Sequence, residues 1–210
     1  MKKLVSCILL VGLLFSLFGC SNSETDSGAV HTSAVWFSGN IESIENMYCE
    51  VLSDILSDEK FADDEGLNMI YEFMSDSPTY DVSVLKEMED WDVLFYEPNE
   101  DYAAAFIPSF LVNSSNENDI IGICSPPVSY EAKDPSNVNA CIAAICWVDY
   151  EKATSLREQA LEAFNDGYDS CYGNVKFRII PDEGGNLYNI LFSYVSDVSK
   201  ADNDELIEIK

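Results

Sequence analysis

Apolar residues recur at helical spacing in several parts of the chain. In the first of these segments they fall at every third or fourth position, and Asn40 precedes them as a capping residue. The same spacing predicts a second helix over 63–74 and a third over 150–164. A shorter helix is predicted to begin at Asp81 and reach Met88. The apolar residues of the first helix are Ile41, Ile44, Tyr48, Leu52 and Ile55.

Shorter apolar runs between the helical segments predict strands. Segments 91–96 and 102–107 flank the polar residues 97–100, a pattern typical of a hairpin. A polar loop over 113–118 then leads to a short strand over 119–124, which two prolines follow. These segments predict antiparallel neighbours in one sheet.

The second half of the chain continues this alternation. Segment 138–148 is apolar at nearly every position, which predicts a strand covered on both faces. Before it, residues 125–137 are expected to form a long irregular connection. Segments 174–180 and 187–195 flank a glycine-rich turn and predict a second hairpin. The fold class is therefore α+β, with N-terminal helices followed by an antiparallel or mixed sheet and one crossing helix.

The N-terminus carries an apolar run of a different kind. Lys2 and Lys3 precede fifteen almost uninterrupted apolar residues over 4–18. At about 1.5 Å per residue this run is too short to span a hydrocarbon core of about 30 Å comfortably. A positive start followed by a short apolar segment is typical of an export signal.

The end of this run resembles the lipobox of bacterial membrane lipoproteins, in the residues Leu17-Phe18-Gly19-Cys20. The resemblance covers only about the first 20 residues. It implies that residues 1–19 are a signal peptide and that Cys20 receives a diacylglyceryl group after cleavage. It also implies a protein held by lipid on the cell membrane and facing away from the cytoplasm. The alternatives are a plain signal peptide, in which Cys20 is incidental, and an uncleaved membrane helix.

The remainder divides into a tether, one domain and a tail. Residues 20–30 are small and mostly polar, which predicts a flexible tether. Residues 31–203 have the length and composition of a single acidic domain. Residues 204–210 are expected to be a frayed tail, although Leu206, Ile207 and Ile209 leave a short strand as an alternative.

Charge narrows the range of partners. The chain has 11 basic and 38 acidic residues; without Lys2 and Lys3 the balance is 9 against 38, a net charge of −29. Nucleic acid is excluded as a partner because its binding requires cationic groups. Two functional interpretations remain: attraction of a cationic or protein partner at the envelope, and electrostatic repulsion of the domain from the envelope. Simple solubility of the domain is the alternative to both.

Catalytic chemistry is sparse in this sequence. His31 is the one histidine and lies beside the tether, which disfavours a Ser-His-Asp triad and excludes a zinc site built from several histidines. No phosphate-binding loop, dinucleotide motif or calcium-binding loop occurs. We therefore expect no catalytic residue, no metal and no cofactor.

Five cysteines follow Cys20, and an odd number leaves at least one unpaired. A disulfide between Cys124 and either Cys141 or Cys146 is one hypothesis for a protein outside the cytoplasm. The alternative is that these residues are small buried thiols in a reducing environment.

Three functions remain open, and a non-enzymatic binding or interaction role at the envelope is the first. The second is a glycan hydrolase that uses two carboxylates, which need no histidine. The third is a solute- or cation-binding accessory protein, for which the chain is short. Aromatic residues that could line a sugar cleft are Trp36, Phe37, Trp91, Phe95, Tyr96, Tyr102 and Trp147.

Overall fold

The structure is a computed structural model that describes residues 37, 39–85, 93–99, 106–114, 116–133, 135–195 and 206–210. Four helices occur in these residues: α1 Ile41–Leu56, α2 Glu65–Ser75, α3 Ser136–Cys146 and α4 Tyr150–Asn165. The strands are β1 Tyr80–Leu85, β2 Val93–Pro98, β3 Ser109–Asn113, β4 Asn116–Cys124, β5 Val128–Ser129, β6 Asp169–Tyr172, β7 Val175–Pro181, β8 Leu187–Tyr194 and β9 Leu206–Glu208.

All these strands belong to one mixed sheet. Its order is β1-β2-β3-β4-β8-β7-β6-β9, with β5 added alongside β8. The pairs are antiparallel except for β6 and β9, which run parallel. Helices precede the sheet, and α3 and α4 cross between β5 and β6. The predicted α+β class, with N-terminal helices before a mixed sheet, is confirmed.

The first helix, α1, follows the sequence pattern closely. Asn40 caps it by accepting a hydrogen bond from the backbone N–H of Ser43, and the Ser43 hydroxyl accepts one from the backbone N–H of Asn40. These reciprocal bonds satisfy N–H groups that a helix leaves without partners. The buried residues of α1 are Ile44, Tyr48, Leu52 and Ile55, four of the five apolar residues predicted for this helix.

The prediction of a strand over 138–148 is wrong, because this segment forms α3 and the turn after it. Every residue of α3 from Val138 to Ile145 is buried. A helix buried on all sides shows no apolar stripe, so its sequence cannot be told from a buried strand by periodicity. Ala140, Ala143 and Ala144 are strong helix formers and favour this conformation.

Several other elements differ from the predictions. The short helix expected from Asp81 is instead strand β1, whose Val82 and Val84 are β-branched and about half exposed. Strand β2 pairs with Ser109–Asn113, and most of segment 102–107, its expected partner, lies outside the described residues. The loop expected over 113–118 contains the start of strand β4 at Asn116. The irregular connection expected over 125–137 contains strand β5.

The C-terminal residues are ordered where the structure describes them. The frayed tail expected over 204–210 is wrong for Leu206–Glu208, which pair with β6 as the alternative strand. Ile209 is only 5% exposed, and its N–H donates to the carbonyl of Cys171. The carbonyl of Lys210 accepts a hydrogen bond from Nζ of Lys152 in α4.

The N-terminal predictions lie outside the described residues. These include the signal peptide over 1–19, the tether over 20–30, the lipidation site Cys20, and His31. Within the part of the chain that is described, no helix has both the length and the apolar character to cross a bilayer.

Candidate functional site

An open cleft of about 590 Å³ lies between α1 and the start of α4. Its volume falls within the range of small-molecule sites, about 300–1,000 Å³. The turn after α1 and the connection between α3 and α4 complete its walls. The residues that line it are Glu50, Val51, Asp54, Ile55, Asp58, Lys60, Phe61, Trp147, Val148, Asp149, Tyr150 and Glu151.

Trp147 forms an exposed wall of this cleft. It ends α3 in the left-handed conformation, with φ 53° and ψ 49°. The residue is 70% exposed. Its N–H and that of Val148 both donate to the carbonyl of Ala143. Glycine or asparagine usually occupies such a position, since a bulky side chain there strains the backbone. The fold alone therefore gives no reason for tryptophan at this residue.

Two acids of the cleft wall, Glu50 and Asp54, do not stabilise the helix that carries them. Glu50 and Asp54 lie four residues apart on α1, and Asp58 follows in the next turn of the chain. Like charges at this spacing destabilise a helix. Asp54 also lies near the negative end of the α1 dipole, where the last turn holds no basic residue. The charges of Glu50 and Asp54 therefore act against helix α1.

Two other carboxylates have structural work as well as a place in the cleft. Asp149 caps α4 by accepting a hydrogen bond of 2.7 Å from the N–H of Lys152. Asp58 accepts one of 2.9 Å from the N–H of Lys60. Glu151 is exposed in the first turn of α4. Five carboxylates thus face one ammonium group, that of Lys60, around the cleft.

Buried contacts hold the rings of Phe61 and Tyr150, which form the aromatic floor of the cleft. The rings of Phe61 and Tyr150 lie 4.6 Å apart between centroids, and both residues are 7% exposed. Nδ2 of Asn139 donates to the Tyr150 hydroxyl at 3.4 Å. Nε of the buried Arg157 donates to Oδ1 of Asn139 at 2.9 Å. This chain of buried polar groups positions Tyr150 beneath the cleft.

The cleft combines carboxylates with exposed and buried aromatic rings, which together attract cations. Aromatic faces carry negative potential, and nearby carboxylates add to it. Among the described residues, no group of three His, Cys, Asp or Glu side chains has the arrangement to hold a metal ion. A lining of carboxylates and aromatic faces can attract a cation.

A separate and much smaller cavity lies near Glu45. It measures about 10 Å³ and is bordered by Tyr48, Met74 and Phe110 among others, so it holds at most one water. Burial raises the pKa of the Glu45 carboxyl, an effect that the nearby Tyr80 hydroxyl partly offsets and the charge of Glu42 adds to. No well-formed hydrogen bond joins Glu45 Oε1 or the Tyr80 hydroxyl to another described group. The cavity itself has no room for a sugar.

The five described cysteines carry free thiols, so the structure contains no bridge among Cys124, Cys141 and Cys146. Cys141 and Cys146 lie on α3 and not on a strand. Burial raises the thiol pKa of Cys124 to about 12, and the nearby Glu97 adds to this shift. Burial alone raises that of Cys146 to about 12. Burial raises the pKa of the Cys141 thiol most, and the nearby Cys124 adds to this shift. An oxidised pair stays a prediction.

Of the seven aromatic residues proposed for a sugar cleft, Trp147 is the one that lines this cavity in the described structure. Phe37 and Phe95 are buried in the fold, and Tyr96 is partly buried. Trp36, Trp91 and Tyr102 lie outside the described residues. The signals in the sequence that could have found the site are the acids four apart on α1 and a tryptophan in a short polar connection.

No protein-family model, curated protein or solved structure matches this chain.

Proposed function

We propose that this chain is a lipid-anchored extracytoplasmic protein that binds a cationic partner, without catalysis, in the acidic cleft beside Trp147. The anchor rests on the residues around Cys20, and the binding role rests on the cleft. A domain with net charge near −29 attracts cations from a distance, and the cleft supplies the contacts. The partner would be a small organic cation or a basic segment of a protein at the envelope.

One observation carries the binding proposal: Trp147 has a strained backbone conformation and the acids of α1 repel each other, yet these residues meet at one cavity. Tryptophan at a left-handed position strains the backbone, and Glu50 and Asp54 repel each other on one helix face. Residues that oppose stability and share a cavity indicate a role in binding.

The carboxylate-dependent hydrolase is the less favoured function. A general acid at neutral pH needs a carboxyl with a raised pKa next to the substrate. Burial raises the pKa of the Glu45 carboxyl, but Glu45 borders a cavity with room for no more than one water. The chemistry and the space for a substrate are therefore in different places.

Binding is tested with the lipidated chain in neutral detergent micelles and a basic octapeptide of alternating lysine and arginine, followed by titration calorimetry. We expect saturable binding that weakens on Glu50→Gln. Glu162→Gln is the matched control, since Glu162 is also an exposed helical glutamate and lies outside the cleft lining. Equal affinities for the two variants would place the peptide elsewhere on the acidic surface.

The anchor is tested separately with Cys20→Ala. We expect the wild-type protein to carry a diacylglyceryl group on its N-terminal peptide, detected by mass spectrometry, and to partition with membranes. The variant should lose both properties. A variant that still partitions like the wild type contradicts anchoring through Cys20.

A further inference from the structure

Lys60 is a cation that the protein itself places in the acidic cleft. Its Nζ lies 4.7 Å from the centroid of the Phe61 ring, within the distance of a cation–π contact. The residue is exposed, so its ammonium group is free to leave the ring without disturbing the core. The hydrogen bond from its N–H to Asp58 holds the backbone at this place.

From this contact we propose that the cleft recognises a primary alkylammonium group, and that Lys60 occupies part of the site until the ligand displaces it. The proposal rests on the proposed function and adds the chemical class of the ligand. Lys60 acts as an internal competitor because a flexible lysine side chain and the ligand would seek the same ring face.

The lining of the cleft fits both parts of such a group. An alkylammonium has a charged head and an apolar stem. The Phe61 ring and the neighbouring carboxylates suit the head, while Val51, Ile55 and Val148 offer apolar surface to the stem. Trp147 is exposed on the same cavity and provides a second ring face that Lys60 does not use.

Two kinds of ligand present this group: a lysine side chain of a polypeptide, and a free linear polyamine. The experiment therefore titrates the full lipidated chain in neutral micelles with tetralysine, with spermidine and with tetraarginine. Tighter binding of tetralysine than of spermidine assigns the site to polypeptide lysines, and the reverse assigns it to polyamines. Either order supports the ligand class, whereas preference for tetraarginine over both overturns it.

Competition by Lys60 is tested with Lys60→Met, which keeps the stem and removes the charge. Releasing a cation–π contact at an exposed site should tighten binding of the preferred alkylammonium by about two- to fivefold. Lys133→Met is the matched control, since Lys133 is exposed and outside the cleft lining. It changes the net charge equally and should leave the affinity nearly unchanged at physiological salt, where distant charges are screened.

The outcomes separate the two proposals. Equal tightening by Lys60→Met and Lys133→Met would show only a long-range charge effect and overturn the competition. If Glu50→Gln still weakened binding of the basic octapeptide in that case, the proposed function would stand without the further inference. Absence of binding by every cation would overturn both. Thermal unfolding of each variant verifies that its fold is retained.

Discussion

Replacing Trp147 by asparagine separates the contribution of this residue to stability from its contribution to binding in the cleft. Asparagine tolerates the left-handed conformation that Trp147 adopts at φ 53°, so the change relieves a strain of about 1–2 kcal/mol. The same change removes the contacts of the indole ring, which lowers the stability. Trp147 is 70% exposed, so 100 − 70 leaves 30% of its surface buried. With a full tryptophan surface of about 250 Å², that is about 75 Å².

At about 25 cal/mol per Å², this buried surface contributes at most about 1.9 kcal/mol. The two effects oppose each other and are similar in size. We therefore expect Trp147→Asn to change the free energy of unfolding by no more than about 1 kcal/mol. Binding of a cation should weaken by about two- to thirtyfold, since a cation–π contact contributes about 0.5–2 kcal/mol.

Urea unfolding followed by circular dichroism measures the stability, and titration with the basic octapeptide measures the binding. Trp147→Ala is the matched control, because alanine loses the same contacts but keeps the backbone strain. It should be less stable than Trp147→Asn by about 1 kcal/mol. Equal stability of the two variants would refute the strain, and a loss above about 3 kcal/mol in Trp147→Asn would make Trp147 a structural anchor.

Three further changes test other parts of the structure. Burial raises the pKa of Glu45 in the folded state, so ionisation of this carboxyl lowers the stability as the pH rises through its folded-state pKa. Glu45→Gln should therefore stabilise the protein at about pH 7 and have little effect at about pH 4. An equal shift of the urea midpoint at both pH values would contradict this. Ile209→Ala should cost about 2–4 kcal/mol in urea unfolding, whereas Ile207→Ala, at a residue 41% exposed, should cost less than about 1; similar losses would mean that the tail is not docked. Alkylation under native conditions should label the partly exposed Cys49 before Cys124, and unfolding without reductant should release all five described thiols; two thiols that appear only after reduction would instead establish a bridge.

The sequence predicts those helices whose burial is one-sided. Helices α1 and α4 each bury one apolar stripe, and each follows a capping side chain, Asn40 or Asp149. Both the helical spacing and the start of these helices can therefore be predicted from the sequence. Helix α3 is buried from Val138 to Ile145 and has no such stripe. Strand β1 was missed for another reason: its Val82 and Val84 alternate with polar residues, but Asp81 ahead of them is also typical of a helix cap.

The candidate site was only partly predictable. With 38 acidic residues in the chain, a cluster of carboxylates in the sequence carries little information by itself. Glu50 and Asp149 are far apart along the chain, and only the packing of α1 near the start of α4 brings them to one cavity. The left-handed conformation of Trp147 was not readable either, because no glycine or asparagine marks it.

The narrow junction between β4 and β8 has a consequence for how the chain folds. Strands β1 to β4 follow one another in sequence and pair as neighbours, and so do β6 to β8. The two groups are joined through only two registered pairs, Ile123 with Phe192 and Cys124 with Leu191, with β5 extending the contact along β8. Hairpins form from local contacts, whereas closing this junction must first overcome the entropy of a long loop that contains α3 and α4. This topology predicts that the two halves of the sheet form early and that their union at Phe192 limits the folding rate.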